Sequence, residues 1–559
     1  MNQPGNKTSK ITGSLLLVLA LAAVLSFTRS PLLGDTSLYA NEVAPFVGKS
    51  VVGAKPIWEF GHLLWRPIGW ALVSLASPFL SAHTSWTPAM QVIAVLIAVN
   101  ILCTAVALVL CYWLLLDFTG SAKLAWLLAL AVLFVHGVLL YAHSGSAYVP
   151  GLAALLGSVY LLRRGRVGWG AVCYALAAAI WFPYILVGLA LLLMAACSED
   201  WSTKTFSWKR AAVFVAVAAL VLVVLYGSAM KARGIASVQD AKQWYAESPH
   251  GVQQSIRIVR LATALPRSFL FLGRDGVLYR RFLFRDPMSP VHVLDLVKAS
   301  LWKIAAFFFF LLCVVYELLR RRSWPAVVLL AAAIPVLFFA VFLFEPSSPE
   351  RYFPVLPFLW LALAWILRDF GQTPHSLHRF SQWVIVIFLI GVALNNTYSF
   401  ARPLVSAEDE ASLSRIRGFR WNMPPSSVLM IATNQDVIDD VMSRSPFGAI
   451  NRPTPLPIFD ILLIAGQDLP RWRQRFAERA LQAWDEGGEV WVTKRLWEPR
   501  AQPGWYWVEG EDQRVSWKDL HPYFDPLAVD ADQGGPDGFR RLTRNEANHH
   551  LLLETLAVK

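Results

Sequence analysis

The chain has 559 residues, of which 56% are hydrophobic and only 16% charged. A soluble domain carries about 25% charged and about 45–50% apolar residues, so an ordinary soluble protein is excluded and a membrane protein indicated. The net charge of +12 divides unevenly: residues 1–400 hold 31 Lys and Arg against 15 Asp and Glu, whereas residues 401–559 hold 19 against 23. The basic residues lie between apolar segments rather than on one solvated patch, which excludes nucleic acid as the partner and makes them markers of topology and contacts to the lipid bilayer.

Taken in chain order, stretches long and apolar enough to span a bilayer, which needs about 20 such residues, fall at 11–28, 88–116, 124–141, 146–162, 211–229, 299–318, 324–344, 352–367 and 381–399. No small-x-small cleavage site precedes Arg29, so the first is read as an anchor rather than a signal peptide. The stretch 66–82 is read as an interfacial helix. The stretch 167–197 carries Pro183 after Trp181 and reads as two short helices that meet outside, giving about eleven spans. This ordering puts Lys7, Lys10, Lys123, Arg163, Arg164, Arg166, Lys204, Lys209, Arg210, Arg320, Arg321, Arg322, Arg368 and Arg379 inside, as the positive-inside rule requires. The rival ordering, in which 66–82 crosses and 167–197 crosses once, strands Arg163, Arg164 and Arg166 outside. The five cysteines, Cys103, Cys111, Cys173, Cys197 and Cys313, lie in or at the end of apolar runs and form neither a disulfide framework nor a zinc spacing.

With this topology the unusual polar residues collect on the external side. The loop 29–87 holds Asp35, Tyr39, Glu42, Glu59, His62 and Arg66. Asp35, within about two turns of the membrane exit, is a carboxylate at an interface and a candidate general base; with Thr36 it could equally start a helix over SLYANEVAPF as a cap. The segment from Trp58 to Leu80 is amphipathic and Trp-rich and suits the headgroup layer. His62 could bond a substrate hydroxyl or phosphate. The turn YAHSGSAYVPG places His143, Ser144, Ser146 and Tyr148 between two apolar helices, where they could line a polar cavity or permit close packing.

The external loop 231–298 interleaves Arg267, Arg274, Arg280, Arg281 and Arg285 with aromatics and leucines, a composition suited to anionic headgroups or a lipid phosphate. At FEPSSPERYFPVLPFLW, Arg351 can hold a phosphate through a forked pair of hydrogen bonds, with Glu350 as its salt-bridge partner and Tyr352 beside it. The expected domains are therefore a polytopic membrane domain over 1–400 and an external soluble domain over 401–559. In the latter, 426–433 reads as a buried strand followed by the helix NQDVIDDVMSR, RWRQRFAERALQAWDEGG as a helix ending at glycine, and EVWVTK as the next strand, an α/β domain with parallel character. The text from Gln502 onward is irregular and unassigned.

The acidic residue soon after the first span in GDTSLYANE, the interfacial helix GHLLWRPIGWALVSL, the paired short spans around WFPYIL, the external ERYFPVLP and a soluble domain after the last span together resemble the glycosyltransferase C superfamily, in the branch of protein O-mannosyltransferases and the lipid A aminoarabinose transferase. The likeness covers nearly the whole chain in layout and about 40 residues in motif. Asp35-Thr36 replaces the adjacent pair of acids, and GHLLWRP replaces the His-Pro-Pro-Leu-Tyr type of segment, which leaves the sugar open. The fold so implied is an all-α polytopic domain of about eleven transmembrane helices with a C-terminal external α/β domain.

The activity implied is inverting transfer of a sugar from a polyprenyl-phosphate (undecaprenyl or dolichyl) donor to a glycan, lipid or protein acceptor on the external face of a membrane, expected to be the bacterial inner membrane. Asp35 is then the catalytic base. Arg351, Arg274 and Arg281 are the donor-phosphate contacts, and Tyr39, Glu42, His62, His143 and Tyr352 the substrate contacts. Asp35, Glu42, Glu59 and His62 could offer ligands to a divalent metal but have no recognised spacing, and some members of the superfamily need none. The competing functions are a glycan ligase or polymerase with a pyrophosphate-linked donor, a transporter or flippase, and a non-enzymatic assembly subunit. Transport is disfavoured because the middles of the spans are nearly free of charge and show no internal repeat.

Overall fold

The computed structural model describes residues 4–26, 34–47, 57–83, 88–197, 206–246, 258–272, 292–321, 323–343, 349–370, 376–401, 424, 426–431, 454–457, 469–493, 505–507, 514–516, 521–534 and 539–557. The chain forms two compact units, one of Met1–Gly276 with Val297–Leu404 and one of Val277–Leu296 with Val405–Lys559.

The first unit is helical: α1 (Pro4–Ser26), α2 (Gly34–Val47), α3 (Trp65–His83), α4 (Pro88–Thr119), α5 (Ala122–Leu133), α6 (His136–Tyr141), α7 (Tyr148–Arg163), α8 (Val167–Ile180), α9 (Gly188–Ala196), α10 (Trp208–Arg233), α11 (Val238–Ala246), α12 (Ile258–Phe269), α13 (Trp302–Arg321), α14 (Trp324–Phe338), α15 (Leu356–Leu367) and α16 (Ser376–Asn396). Seven helical stretches are long and apolar enough to cross a membrane, and four shorter apolar helices, Ala122–Leu133, Tyr148–Arg163, Val167–Ile180 and Phe182–Ala196, accompany them among the described residues. The chain is thus an integral membrane protein. The stretch 66–82 becomes α3, whose Val73 is buried while Leu75 and Phe79 are exposed, the pattern of a one-sided helix.

The division of 167–197 follows from its proline. Pro183 has no N–H and disfavours helical backbone at the preceding residue, so α8 stops at Ile180, Trp181 is extended (φ −148°, ψ 111°), and a 3-10 turn over Phe182–Val187 leads into α9. The polar backbone freed by the break is used: Phe182 N donates to Gly61 O at 2.9 Å, and Ala179 O accepts from Leu64 N at 3.0 Å. The expected continuous span 124–141 is instead interrupted between Leu133 and His136. The reason lies far away in sequence. Buried Asn396 donates through Nδ2 to Phe134 O and Phe269 O, both at 2.7 Å, and accepts from Phe271 N at 2.8 Å through Oδ1, so one amide satisfies backbone left open at two chain breaks.

These contacts separate two ends of the unit. At one, Asp117 takes Lys10 Nζ at 3.0 Å and Arg164 Nη2 at 2.9 Å, so α1, α4 and α7 bring Lys10 and the Arg163–Arg166 run together; the rival ordering had them apart. The same end of α13, α15 and α16 is tied by Arg321, which reaches Trp365 O, Ile366 O and Asp369, and by buried Glu317, which accepts from Ser381 and lies 2.5 Å from His378 Nδ1. At the other end lie the 57–64 segment, the 141–148 turn, the α8–α9 break, the last turn of α11 and residues 349–353. There Trp58 O accepts from Arg233 Nη1 at 2.8 Å and Trp244 Nε1 at 3.2 Å, and Phe60 O from Tyr226 at 3.1 Å.

The second unit holds a five-stranded sheet in the order β2-β1-β3-β7-β6 and a two-stranded β4-β5 ribbon. Its strands are β1 (Val428–Ile431), β2 (Thr454–Pro457), β3 (Val490–Thr493), β4 (Trp505–Trp507), β5 (Arg514–Ser516), β6 (Val529–Gly534) and β7 (Phe539–Leu542), with helices α17 (Leu469–Asp485) and α18 (Glu546–Ala557). The parallel part is β2-β1-β3, with Val428 opposite Val490; β7 and β6 then add on antiparallel, from the segment that the sequence left unassigned. Trp472, Phe476 and Trp484 of α17 pack with Met430, Val490, Val492, Phe524 and Leu552. Gly487, at φ +77°, ends the helix as its glycines predict. The expected helix NQDVIDDVMSR lies outside the described residues.

Candidate active site

The site grows from α2. Its helix begins at Gly34, so Asp35 is already the second helical residue rather than a cap; the Asp35 side chain lies outside the described residues. The next residue is fixed. Gly145 N donates to Thr36 Oγ1 at 2.9 Å, and a Cβ on Gly145 would stand 2.6 Å from Thr36 Cγ2. Only glycine lets the turn between α6 and α7 come this close to the first turn of α2. The same glycine's carbonyl accepts from Trp65 Nε1 at 2.9 Å, which brings the start of α3 to the same place.

One turn further along α2, buried Tyr39 meets the His62 ring edge-on at 5.3 Å. Arg66, the second residue of α3, sends Nη2 to Glu42 Oε2 at 2.5 Å and to Glu59 Oε2 at 2.8 Å, and the same Glu59 oxygen lies 3.2 Å from His62 Nδ1. Glu59, His62 and Arg66 are all buried. A guanidinium shared by two carboxylates offsets part of the cost of removing these charges from water.

A second limb comes from residues 349–353. Tyr141 donates to Glu350 Oε2 at 2.5 Å, Glu350 Oε1 lies 3.7 Å from Arg351 Nη2, and the Arg351 guanidinium stands 5.9 Å from the Trp181 ring. Tyr148 joins the limbs: its ring is 4.8 Å from Tyr141, 4.8 Å from Trp181 and 6.3 Å from His62, while its carbonyl accepts from Tyr184 at 2.6 Å. Glu350, Arg351, Tyr148 and Trp181 are buried. The result is a buried aromatic cluster of Tyr39, Tyr148, Trp181 and Tyr141 with Arg66 and Arg351 at its sides.

Of the residues singled out from sequence, Tyr39, Glu42 and His62 meet in the first limb, and Arg351 belongs to the second. His143 is buried in the turn that carries Gly145. Tyr352 packs with Ala264 and Ala340, against Leu261, Leu265 and Leu337. Arg274 and Arg281 lie outside the described residues. Sequence reasoning noted Glu59, Arg66, Tyr148 and Glu350 without giving them places in the site, and passed over Tyr141. The available signal was the spacing of Glu59, His62 and Arg66, three and four residues apart, which gathers side chains on one face of a helical turn. Among the described residues no group of three His, Cys, Asp or Glu side chains is arranged to hold a metal ion.

No protein-family model matches the chain, and no curated protein matches it. Among solved structures, the chain is similar to the crystal structure of ArnT from Cupriavidus metallidurans bound to undecaprenyl phosphate, with 14% identity, coverage of 90% of this chain and 97% of that one, and a TM-score of 0.45. It is also similar to ArnT from the same organism in the apo state, with 15% identity, coverage of 91% and 97%, and a TM-score of 0.39.

Proposed function

We propose that the protein is an inverting membrane glycosyltransferase that moves a sugar from a polyprenyl-phosphate donor to an acceptor hydroxyl at the end of the membrane unit that carries the two limbs. The observation that carries this reading is the joining, through Tyr148, of the Glu42–Arg66–Glu59–His62 array to the Tyr141–Glu350–Arg351 limb. It lies beside the first turn of α2, where the sequence resemblance puts the catalytic acid. By the positive-inside rule the Lys10–Arg164 end faces the cytoplasm, and the site then faces outward, in a bacterium toward the periplasm.

In this mechanism Asp35 takes the proton of the acceptor hydroxyl as its oxygen attacks the anomeric carbon. The new C–O bond forms on the face opposite the breaking bond to the phosphate oxygen, and polyprenyl phosphate departs with that bond's electrons. A phosphate leaving group needs its charge stabilised rather than a proton delivered, so one carboxylate suffices where a glycosidase uses two. Arg351 supplies that stabilisation, joined by Arg274 and Arg281 from the 231–298 segment, and Tyr39, Glu42, His62, His143 and Tyr352 bound the space for the sugar and acceptor.

The test is transfer from a panel of radiolabelled polyprenyl-phosphate sugars in membranes bearing wild type or Asp35→Asn. Asp35→Asn is expected to keep donor binding and lose about 10²–10⁴-fold in turnover, the weight of a general base. Turnover within twofold of wild type removes Asp35 from that role, and activity only with pyrophosphate-linked donors replaces the donor class.

A further inference from the structure

A groove of about 490 Å³ lies far from the site array, at the end of the membrane unit that bears Arg164, and is lined by Arg166, Val167, Gly168, Trp169, Val172 and Val217. It runs between the first turns of α8 and the facing stripe of α10. Its volume falls within the range of small-molecule sites, about 300–1,000 Å³, and its lining is apolar except for a single cation at one edge.

The three arginines of the α7–α8 turn are not equivalent. Arg163 stacks on Phe118 at 5.5 Å, and Arg164 pairs with Asp117 at 2.9 Å and covers Tyr160 at 5.3 Å. Arg166 makes no side-chain hydrogen bond or ion pair to any described residue, and no carboxylate lines the groove beside it. On α10, two turns before Val217 on the same stripe, Arg210 has Nε and Nη2 shielded from solvent without a hydrogen-bond partner among the described residues. Trp169 is 66% exposed and Trp208 78% exposed, the placement of indoles at a bilayer's headgroup level.

A guanidinium uncommitted among the described residues, above an open apolar groove and near exposed indoles, matches a phosphate carried on a long hydrocarbon chain. A soluble anion would leave the apolar lining wet, and a neutral lipid would bring the exposed Arg166 no counter-charge. The polyprenyl-phosphate donor belongs to the reaction at the opposite end. We infer that this groove is a binding site for an anionic phospholipid of the leaflet at the arginine end, its phosphate paired with Arg166 and one acyl chain lying along Val167, Val172 and Val217 under Trp169.

The inference goes beyond the proposed transferase activity, and its readout does not involve sugar transfer. Full-length protein, purified in detergent from membranes containing phosphatidylglycerol and phosphatidylcholine, is analysed for retained lipid by native mass spectrometry. Two variants attack the site independently. Arg166→Gln removes the charge. Gly168→Phe fills the channel, at a position where an added Cβ meets no atom within 4 Å, so the helix accepts it without a clash. Each variant is expected to keep the wild-type melting temperature in lipid-free detergent while its retention of phosphatidylglycerol falls about fivefold, the weight of one arginine beside an anionic lipid. Added phosphatidylglycerol raises the melting temperature of wild type only. Equal retention in wild type and both variants, equal retention of phosphatidylcholine, or displacement of phosphatidylglycerol by polyprenyl phosphate at equal concentration overturns the assignment.

Discussion

Arg66 neutralises two carboxylates at once, so its removal differs from the loss of a surface ion pair. Arg66→Met removes the cation that faces Glu42 and buried Glu59, and breaking a buried pair costs about 3–5 kcal/mol. Arg66→Lys, which keeps the charge on a differently shaped side chain, is expected to recover part of it; thermal and denaturant unfolding in detergent measures both. Gly145 acts by space instead of charge. In Gly145→Ala the new methyl group would press on Thr36, displacing the first turn of α2 and with it Asp35. A displacement near 1 Å costs about 10²-fold in rate, so turnover in the sugar-transfer assay should fall by that order while the melting temperature changes little. Unchanged turnover would separate Asp35's position from the 142–147 turn.

At the scale of elements, Asn396 links the end of α16 to the break after α5 and to the segment after α12. Asn396→Leu deprives Phe134 O, Phe269 O and Phe271 N of their partner, and each buried group left unsatisfied costs about 1–3 kcal/mol. Hydrogen exchange should rise at 134–136 and 269–272 before it rises in α4 or α7. In the second unit, Asp530 on β6 ties to β7: Arg541 Nε donates to it at 2.6 Å and Thr543 Oγ1 at 2.6 Å. Partial burial pushes this carboxyl up, but the bonds from Thr543 and Arg541 and the guanidinium charge outweigh it and hold the pKa below the usual 3.8. A depressed carboxyl stabilises the fold above its unfolded pKa and loses that contribution as pH falls through the folded one. Protection of 539–557 in hydrogen exchange, corrected for intrinsic rate, should therefore hold down to about pH 4 and decline below it, and Asp530→Asn should remove that acid limb.

For the whole molecule, Lys10 and Arg164 meeting on Asp117 at one end, and Arg233 meeting Trp58 at the other, make sidedness testable. Cysteines placed at Lys123 and Lys231 should react with an impermeant thiol reagent from opposite faces of sealed vesicles, the second from the face to which the proposed sugar transfer is assigned. Reaction of both from one face would overturn the topology. The helices that carry this topology were legible because a membrane span is written locally, in a run of apolar residues and its flanking cations. Pro183 likewise announced the division of 167–197 through its own backbone chemistry. The break after Leu133 was not legible, because the residue that satisfies it, Asn396, stands 262 positions away from Phe134.

The candidate site divides in the same way. Composition and charge placement by themselves determined a membrane protein and singled out Asp35, Tyr39, Glu42, His62, His143 and Arg351 as its unusual polar residues. Only the tertiary structure decided which of them meet: that Arg66 serves both Glu42 and Glu59, that Tyr148 joins the two limbs, and that Tyr141 bonds Glu350 across 209 residues. It also gave Tyr352 its place among Ala264, Leu261 and Leu265 of α12, Leu337 of α14 and Ala340 just beyond it. Apolar periodicity and interfacial charge report how a segment sits against lipid, which each segment settles alone. The pairing of buried polar groups depends on how helices distant in sequence pack, and no local pattern records it.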